Sequence, residues 1–329
     1  MAAQSKLQQL IAGDVGFGTT TLFNGEYDMV SFRSLVVRCE PALANYTDKT
    51  GSYLVGDDAL SIASEARKST DTRFFDSEDF RILLMYGIQV LGAKNPKIIT
   101  GLPNEFFDEL KVSVKKRIMS FSEYLPNDDQ INSVTIIRQP MGTVWSNSLV
   151  DIDGKKVKPP MDKRVAVIDG GDGTTDISEF FRGVMVSDSS EGVSIGGSDI
   201  HKSVMNTLRS KKSIDAGTTV HDIDRAIRNG TIWVSGAEVD PRSLQGYKKG
   251  VEQYTTEVQG RVSARWQAFN KIHYVILTGG VVDMIGKLEL VKKLKLPSSK
   301  VLTPSNPSQA NAKGYMAYLI TFLKAKNLL

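Results

Sequence analysis

The residues with the clearest chemical meaning form a pattern that occurs twice. The sequence Asp-x-Gly-x-Gly-Thr-Thr spans residues 14–20 and again residues 169–175. Glycines in a turn leave backbone N–H groups accessible, so such turns hold phosphate oxygens without interference from side chains. A carboxylate at the start of each turn offers the oxygen ligands that Mg²⁺ prefers, usually through its retained waters. We therefore expect two facing turns that bind a triphosphate, with Asp14 and Asp169 next to the metal.

Each turn contributes candidate phosphate-binding residues. These are Gly16, Phe17, Gly18, Thr19 and Thr20 in the first copy, and Gly171, Asp172, Gly173, Thr174 and Thr175 in the second. Either copy alone would also fit an ordinary glycine-rich turn, so the prediction depends on the repeat. The acidic tip residue Asp172 should point outward, because its charge would repel phosphate. Asp176, which follows the second copy, is expected either to orient that turn or only to stabilise it.

Further candidate residues lie at the ends of predicted strands or in glycine turns before predicted helices. They are Gly196 and Gly197, the turn of Thr278, Gly279 and Gly280, and Gln139. The neutral amide of Gln139 can both donate and accept hydrogen bonds. A purely structural glutamine at the end of a strand is the alternative.

The elements around these residues alternate between strands and helices. Apolar runs precede each repeat (LQQLIAG and RVAVID), so each repeat is predicted to be the tip of a β-hairpin. Strands that alternate with helices are typical of an α/β fold. The predicted strands cover residues 97–103 and 133–142, and the predicted helices cover residues 76–92, 104–123, about 244–270 and the closing segment 308–325.

The composition is that of an ordinary globular protein. Of the 329 residues, 41% are apolar and 24% are charged, and this length favours two domains. The one cysteine, Cys39, excludes an internal disulfide and is expected to be a buried strand residue. The three histidines lack the spacing of metal ligands, which argues against a zinc site. Because we find no signal-like start and no long apolar run, we expect a cytoplasmic protein without membrane attachment.

The order of the motifs resembles that in the superfamily of actin, sugar kinases and DnaK-type chaperones. DGGDGTTD at residues 169–176 resembles the second phosphate motif of this superfamily, and NAKGYMAY at residues 311–318 resembles its closing segment. The turn at residues 278–280 resembles its adenosine turn. TGLP at residues 100–103 and QPMGT at residues 139–143 are most similar to the ParM and actin-like proteins of bacterial plasmids and phages.

This resemblance implies an actin-like fold, in which two related α/β domains of duplicated ribonuclease H-like architecture flank a nucleotide cleft. Residues 1–160 would form the first domain, with a C-terminal helix of about residues 308–329 packed back on it. Residues 161–307 would form the second. The cofactor would be ATP, with GTP as an alternative, together with Mg²⁺. Gln139 would place the attacking water, and a helix around Lys248, Lys249 and Glu252 would contact the adenine.

The same resemblance implies a polymerising ATPase. Subunits would join head to tail into filaments that move plasmid or phage DNA. The DNA would be contacted indirectly, through an adaptor protein bound to a centromere-like site, since a net charge of +4 is too small to predict direct DNA binding. The alternative is a soluble small-molecule kinase of the same fold, although the sequence contains no recognisable sugar-binding loop.

Overall fold

The first half of the chain contains both β-strands and α-helices. The protein is described by a computed structural model, which covers residues 7–25, 28–61, 73–186, 189–215 and 217–328. The strands of the first half are β1 (Leu10–Val15), β2 (Thr19–Asn24), β3 (Met29–Arg33), β4 (Val36–Arg38), β5 (Tyr46–Asp48), β6 (Gly51–Val55), β7 (Lys97–Leu102), β8 (Ser133–Arg138) and β9 (Leu149–Asp151). Its helices are α1 (Arg73–Asp76), α2 (Glu78–Val90), α3 (Asn104–Ser120) and α4 (Pro140–Trp145).

The second half contains further strands and the longest helix in the described part of the chain. Its strands are β10 (Arg164–Gly170), β11 (Thr175–Phe181), β12 (Val184–Met185), β13 (Glu191–Val193), β14 (Ile232–Val234), β15 (Ala237–Val239), β16 (Tyr274–Thr278) and β17 (Val301–Pro304). Its helices are α5 (Gly197–Ser210), α6 (Val220–Asn229), α7 (Gln245–Arg265), α8 (Gly280–Ile285), α9 (Lys287–Lys293) and α10 (Ala310–Ala325).

Two sheets share the same arrangement around a central strand. The first has the order β3-β2-β1-β7-β8, and the second has the order β12-β11-β10-β16-β17-β9. In both, the central strand (β1 or β10) pairs antiparallel with the next strand of the chain and parallel with a later one. This common topology confirms the predicted pair of related α/β domains.

The central strands are buried because helices cover both faces of the sheets. β1 and β10 are nearly continuous apolar runs, as expected for strands without a solvent face. Helix α10 covers one face of the first sheet with residues of its apolar side. The residues in this contact are Tyr315, Met316, Leu319 and Leu323 on the helix, and Leu10, Ala12, Ile99 and Ile137 on the sheet. The C-terminal helix therefore belongs to the core of the first sheet.

The strand predicted over residues 133–142 ends earlier than expected. β8 stops at Arg138, and helix α4 begins at Pro140. Proline has no N–H for a sheet ladder, and its fixed φ suits the first turn of a helix. Gln139 consequently lies at the junction of a strand and a helix rather than inside a strand.

The predicted internal helices are confirmed with shorter bounds. Helix α2 begins after Ser77, whose hydroxyl accepts a hydrogen bond from the backbone N–H of Phe80 (3.2 Å). Helices α3 and α7 end before their predicted limits. Short 3₁₀ turns at Phe121–Tyr124 and Gln267–Phe269 continue them.

The polar stretch between α5 and α7, for which no element was predicted, contains helix α6 and the β14–β15 hairpin. Helix α6 has clear local signals at both ends. Thr219 and Asp222 form a capping box at its start, and Gly230 adopts a left-handed conformation (φ 78°) at its end. Both cap signals are present in the sequence, and together they predict this helix.

Two further expectations differ from the structure. β9 pairs antiparallel with β17, so the second sheet recruits a strand that precedes residue 161. Cys39 follows β4 and is only partly buried, so the prediction of a buried strand cysteine was wrong. Among the described residues, we find no helix with the length and apolar character needed to cross a membrane.

Candidate functional site

The two repeats form matching hairpin turns. In the first, the N–H of Gly16 donates to the carbonyl of Thr19 (3.1 Å), and in the second, the N–H of Gly171 donates to the carbonyl of Thr174 (2.9 Å). A Cβ on either glycine would lie 3.0 Å from the same carbonyl oxygen, which is tighter than most real contacts. The repeated glycines therefore produce the same turn twice.

These turns face each other across a cleft that residues of both halves of the chain line. Their tips touch, because a Cβ on Gly18 would lie only 2.7 Å from the Cβ of Asp172. Most of the predicted site residues line this cleft. They are Asp14, Gly16, Phe17, Gly18, Thr19, Gln139, Asp169, Gly171, Asp172, Thr174, Gly197, Gly279 and Gly280.

Other predicted residues are not among those that line the cleft. They are Thr20, Gly173, Thr175, Gly196 and Thr278. All three threonines are fully buried. Two of them support the turns through their hydroxyls: Thr175 donates to the carbonyl of Ile195 (2.8 Å), and Thr278 donates to the carbonyl of Pro307 (3.1 Å). Their role is to hold the backbone rather than to contact a ligand.

The structure does not bring Lys248 and Glu252 to the cleft. The carboxylate of Glu252 pairs with the ammonium of Lys293 (2.8 Å) on the surface of the second domain. Lys249 and Glu252 line a separate, open groove. Helix α7 presents a different face to the core, and its Tyr254 lies behind the second turn, 3.2 Å from the Thr175 hydroxyl. The adenine contacts predicted on this helix are therefore not supported.

The aspartates that begin the repeats face the same part of the cleft. Burial, together with the charge of Asp169, raises the pKa of Asp14 to about 7. Burial also raises the pKa of Asp169 to about 6. Asn311 donates a hydrogen bond from Nδ2 to Oδ2 of Asp169 (2.8 Å) and has a lowering effect on both pKa values. Since both carboxylates are destabilised as anions, a cation bound beside them would be favoured.

This pair fits a magnesium site that is completed by water and phosphate. Mg²⁺ in proteins is usually bound through one or two carboxylates and keeps several of its waters. Within the part of the chain that the structure describes, no group of three or more His, Cys, Asp or Glu side chains is arranged to hold a metal. The residues present therefore suit a hydrated Mg²⁺ bound with a nucleotide, not a metal enclosed by protein ligands.

Asp172 does not point outward, contrary to the prediction. Its side chain is 14% exposed and lies against Gly18 of the other turn, with Oδ1 3.9 Å from Nδ1 of His201. The N–H of Ser198 donates to the carbonyl of Asp172 (2.8 Å), which fixes the tip against the start of α5. The N-terminus of this helix favours a nearby carboxylate and so reduces the repulsion that the prediction assumed.

Asp176 connects the two domains. Its Oδ1 accepts a hydrogen bond from the backbone N–H of Asn104 (3.0 Å), and Nδ2 of Asn104 donates to the hydroxyl of Ser178 (2.6 Å). Burial raises the pKa of Asp176 well above its ordinary value. The observed contact holds the start of α3 against β11, and it does not decide between the two roles expected for Asp176 at the turn.

Gln139 lines the cleft on the side of the first domain. Its N–H donates to the carbonyl of Leu102 (2.8 Å), and its own carbonyl accepts a hydrogen bond from the hydroxyl of Tyr315 (3.3 Å). A Cβ on Gly101 would collide with that hydroxyl at 2.0 Å, so a glycine is needed beside it. The backbone of Gln139 is thus held by β7 and α10 at the edge of the cleft.

Part of the cleft wall was missed by the sequence analysis. The missed residues are Val15, Phe75, Gly101, Pro103, Arg228, Val281, Met284, Pro307, Ser308 and Asn311. Pro103 ends the TGLP motif and Asn311 begins the NAKGYMAY motif, so the sequence contained a signal that could have placed both residues in the site. No sequence motif indicated Arg228, because only the packing of the second domain brings α6 to the cleft.

Two family models match the chain, one in each half. The model of the N-terminal domain of actin-like proteins matches residues 12–142, and the C-terminal model of the archaeal actin homologue, MreB-like, matches residues 167–290. The chain belongs to the actin-like proteins. The resemblance drawn from the repeated turns is thereby confirmed. A search among curated proteins found no significant match to this actin-like sequence.

Solved structures with the same fold align with nearly the whole chain. The non-polymerisable quadruple mutant of pCBH ParM is 20% identical, with 95% of this chain and 99% of that chain covered and a TM-score of 0.73. The 15-stranded ParM filament from Clostridium botulinum is 18% identical, with 95% and 99% covered and a TM-score of 0.73. The ADP complex of the archaeal actin homologue Ta0583 is 16% identical, with 95% and 99% covered and a TM-score of 0.67. At these identities the likeness concerns the fold, and it confirms the actin-like fold.

Proposed function

We propose that this actin-like protein hydrolyses ATP and assembles into head-to-tail filaments. The observation that carries the proposal is the pair of matching glycine turns that face each other beside Asp14 and Asp169. Two structural neighbours provide precedents, one as a complex with ADP and one as a filament. The expected ligand is ATP with Mg²⁺, and GTP is the alternative nucleotide.

The triphosphate would lie between the two turns, where backbone N–H groups bind its oxygens. Mg²⁺, when bound, neutralises phosphate charge next to Asp14 and Asp169. Asn311 orients the Asp169 carboxylate, and its own amide is oriented by the hydroxyl of Thr143, which donates to Oδ1 of Asn311 (2.8 Å). Positioning of this kind is the main contribution of a protein to phosphoryl transfer.

Gln139 is the residue we assign to the attacking water. Its amide can accept a proton of the water and donate to the γ-phosphate without carrying charge. The water oxygen forms a bond to the γ-phosphorus, the bond to the β-phosphate oxygen breaks, and the water proton leaves to solvent. Because its backbone is held by Leu102 and Tyr315, Gln139 needs little reorganisation for this step.

The purine base would lie against the turn of Gly279 and Gly280. A second pocket adjoins this turn. Its lining residues are Asp224, Ile227, Arg228, Arg242, Gly280, Asp283 and Met284. A guanidinium and an apolar side chain both stack well on aromatic rings. Arg228 and Met284 therefore replace Lys248 and Glu252 as the proposed base contacts.

The finer part of the proposal is that the filaments move plasmid or phage DNA in the cytoplasm. The similarity of the TGLP and QPMGT motifs to plasmid and phage actin-like proteins supports it. DNA would be bound through an adaptor protein at a centromere-like site. Co-sedimentation of filaments with DNA only when such an adaptor is present would support this part, and direct DNA binding by the purified protein would contradict it.

Light scattering after addition of Mg-ATP tests the assembly. We expect a rise that requires both the nucleotide and Mg²⁺, and filaments in electron micrographs with a non-hydrolysable ATP analogue. EDTA in place of Mg²⁺ is the control. No rise at concentrations up to tens of micromolar, together with phosphorylation of an added sugar, would identify a small-molecule kinase instead.

A further inference from the structure

An ion pair joins the two domains next to the phosphate turns. Nη1 of Arg33, at the end of β3, lies 2.5 Å from Oδ2 of Asp224 on α6. The two side chains are only 12% and 11% exposed, although the residues are 191 positions apart in the chain. Charged groups that are largely removed from water interact more strongly than surface pairs. This contact is therefore a candidate for a restraint on the relative position of the domains.

The Arg33 side of the pair is attached to the first turn. Arg33 is the strand partner of Thr19 in the β2–β3 pairing. The next residue, Ser34, donates its N–H to the carbonyl of Gly18 (3.1 Å) and its hydroxyl to the carbonyl of Gly16 (2.5 Å). A displacement of Arg33 thus moves the backbone of the first phosphate turn with it.

On the other side of the pair, Asp224 lies close to the second turn, with the buried His201 between them. Oδ1 of Asp224 lies 3.4 Å from Nε2 of the buried His201, whose Nδ1 lies 3.9 Å from the carboxylate of Asp172 at the tip of that turn. Nε of Arg228, a cleft residue, donates to the same Oδ1 (2.9 Å). Burial would raise the pKa of Asp224, but His201, Arg228 and Arg33 hold it below its ordinary value, so Asp224 is an anion at neutral pH.

We propose that Arg33 and Asp224 form a clasp that sets the spacing of the two phosphate turns and slows the release of bound nucleotide. The inference rests on the nucleotide cleft of the proposed function. A triphosphate held between the turns can leave only when they separate, and the clasp must break for the turns to separate. Arg33 and Asp224 are positioning residues, since neither is assigned a contact with the reacting atoms.

Release of a fluorescent ATP analogue from monomeric protein, followed by stopped flow after addition of excess ATP, tests the clasp. Arg33→Ala should accelerate release by about 10- to 100-fold, because it leaves a desolvated carboxylate without its partner from the other domain. Asp57→Asn is the matched control. Its carboxylate also pairs with Arg33 (2.8 Å), but it is 70% exposed and lies in the same domain, so release should change by less than about twofold.

A double-mutant cycle separates the clasp from other effects of the substitutions. If the ion pair is the restraint, Arg33→Ala combined with Asp224→Asn should release the analogue no faster than the faster single variant. Arg33→Lys, which keeps the charge, should lie between the wild type and Arg33→Ala. Independent effects, in which the fold-changes of the single variants multiply, would overturn the proposal.

Small-angle X-ray scattering without nucleotide distinguishes failure of the clasp from failure of the proposed function. Arg33→Ala should have a larger radius of gyration than Asp57→Asn, whether or not the protein binds ATP. Wild-type protein that takes up no analogue would end the nucleotide proposal, and with it the retention role. Uptake with an unchanged release rate and an unchanged radius of gyration in Arg33→Ala would end the clasp alone. Should Arg33→Ala fail to fold, Arg33→Lys and Asp224→Asn give the same readouts.

Discussion

The two glycine turns have the same sequence template and different supports. Phe17 at the tip of the first turn packs into the core of its own domain, with its ring centroid 5.2 Å from that of Phe74 and 6.0 Å from that of Phe75. The equivalent residue of the second turn is Asp172, which lies against the opposite turn and the start of α5. A glycine template therefore produces a turn, whereas the variable tip residue decides what the turn is attached to.

The aspartates at the start of the two turns also differ in their surroundings. The pKa of Asp14 is raised to about 7 and that of Asp169 to about 6, in both cases mainly by burial. Asp169 is bonded to the amide of Asn311 at 2.8 Å, and its charge adds to the shift of Asp14. Asp169 is thus the carboxylate that the Asn311 amide holds in place at 2.8 Å.

The largest expected effect concerns this difference between the carboxylates. Asp169→Ala should lower the rate of ATP hydrolysis by about 1000-fold, because it removes the carboxylate that Asn311 orients beside the proposed phosphate site. Asp14→Ala should have a smaller effect. Phosphate release at neutral pH measures both. Equal activity of Asp169→Ala and wild type would contradict the metal assignment, and a larger loss in Asp14→Ala would reverse the comparison.

A substitution outside both turns distinguishes an effect on the rate of ATP hydrolysis from an effect on nucleotide affinity. Gln139→Ala should slow phosphate release by about 100-fold, since water positioning is lost. The affinity for nucleotide, measured by titration of a fluorescent analogue, should remain nearly intact because the turns are unchanged. The exposed Gln130→Ala is the control. A large loss of affinity in Gln139→Ala would indicate a structural role for this residue.

The contact between the tips can be broken from one side. A Cβ on Gly18 would lie 2.7 Å from the Cβ of Asp172, so Gly18→Ala should push the turns apart and weaken nucleotide binding about tenfold. Gly260→Ala in α7 is the matched control, since its Cβ would meet nothing within 4 Å. Asp172→Gly in the Gly18→Ala background should restore part of the affinity. No recovery would show that the tips do not act on each other.

The smallest expected effect is on stability. Because the folded-state pKa of Asp14 lies above its ordinary value of 3.8, the folded protein binds more protons than the unfolded chain between about pH 4 and pH 7. The contribution of protonated Asp14 to the free energy of unfolding is therefore lost as the pH rises through this window. Asp14→Asn should raise the free energy of unfolding at pH 8 by about 1 kcal/mol and flatten its pH dependence. Urea denaturation without metal or nucleotide measures this, and a lower stability of Asp14→Asn would contradict it.

Much of the fold follows from local patterns in the sequence. The repeated glycines predict both hairpins, and the observed N–H to carbonyl bonds of Gly16 and Gly171 are nearly the same length. Apolar runs predict the central strands, and the helix starts have short-range signals such as the cap of Ser77. The early end of β8 could also have been predicted, because Pro140 cannot continue a sheet ladder. These features depend on residues only a few positions apart.

The attachments of the turns depend instead on residues that are distant in the chain. Asn311 reaches Asp169 across 142 positions, and Arg33 reaches Asp224 across 191. The direction of Asp172 was predicted wrongly because α5, which receives it, could not be placed from the sequence. Lys248 and Glu252 were placed in the cleft by position alone, but the packing of α7 turns them elsewhere.

The sequence by itself determined the two turns, the pair of α/β domains and the acidic residues at the start of each turn, since backbone geometry and hydrophobic periodicity act over short distances. Only the tertiary structure decided which carboxylate is hydrogen-bonded, which side chains surround the cleft and which charges join its two sides. The physical reason is that burial and charge pairing arise from the packing of whole elements, and no local pattern encodes which elements meet.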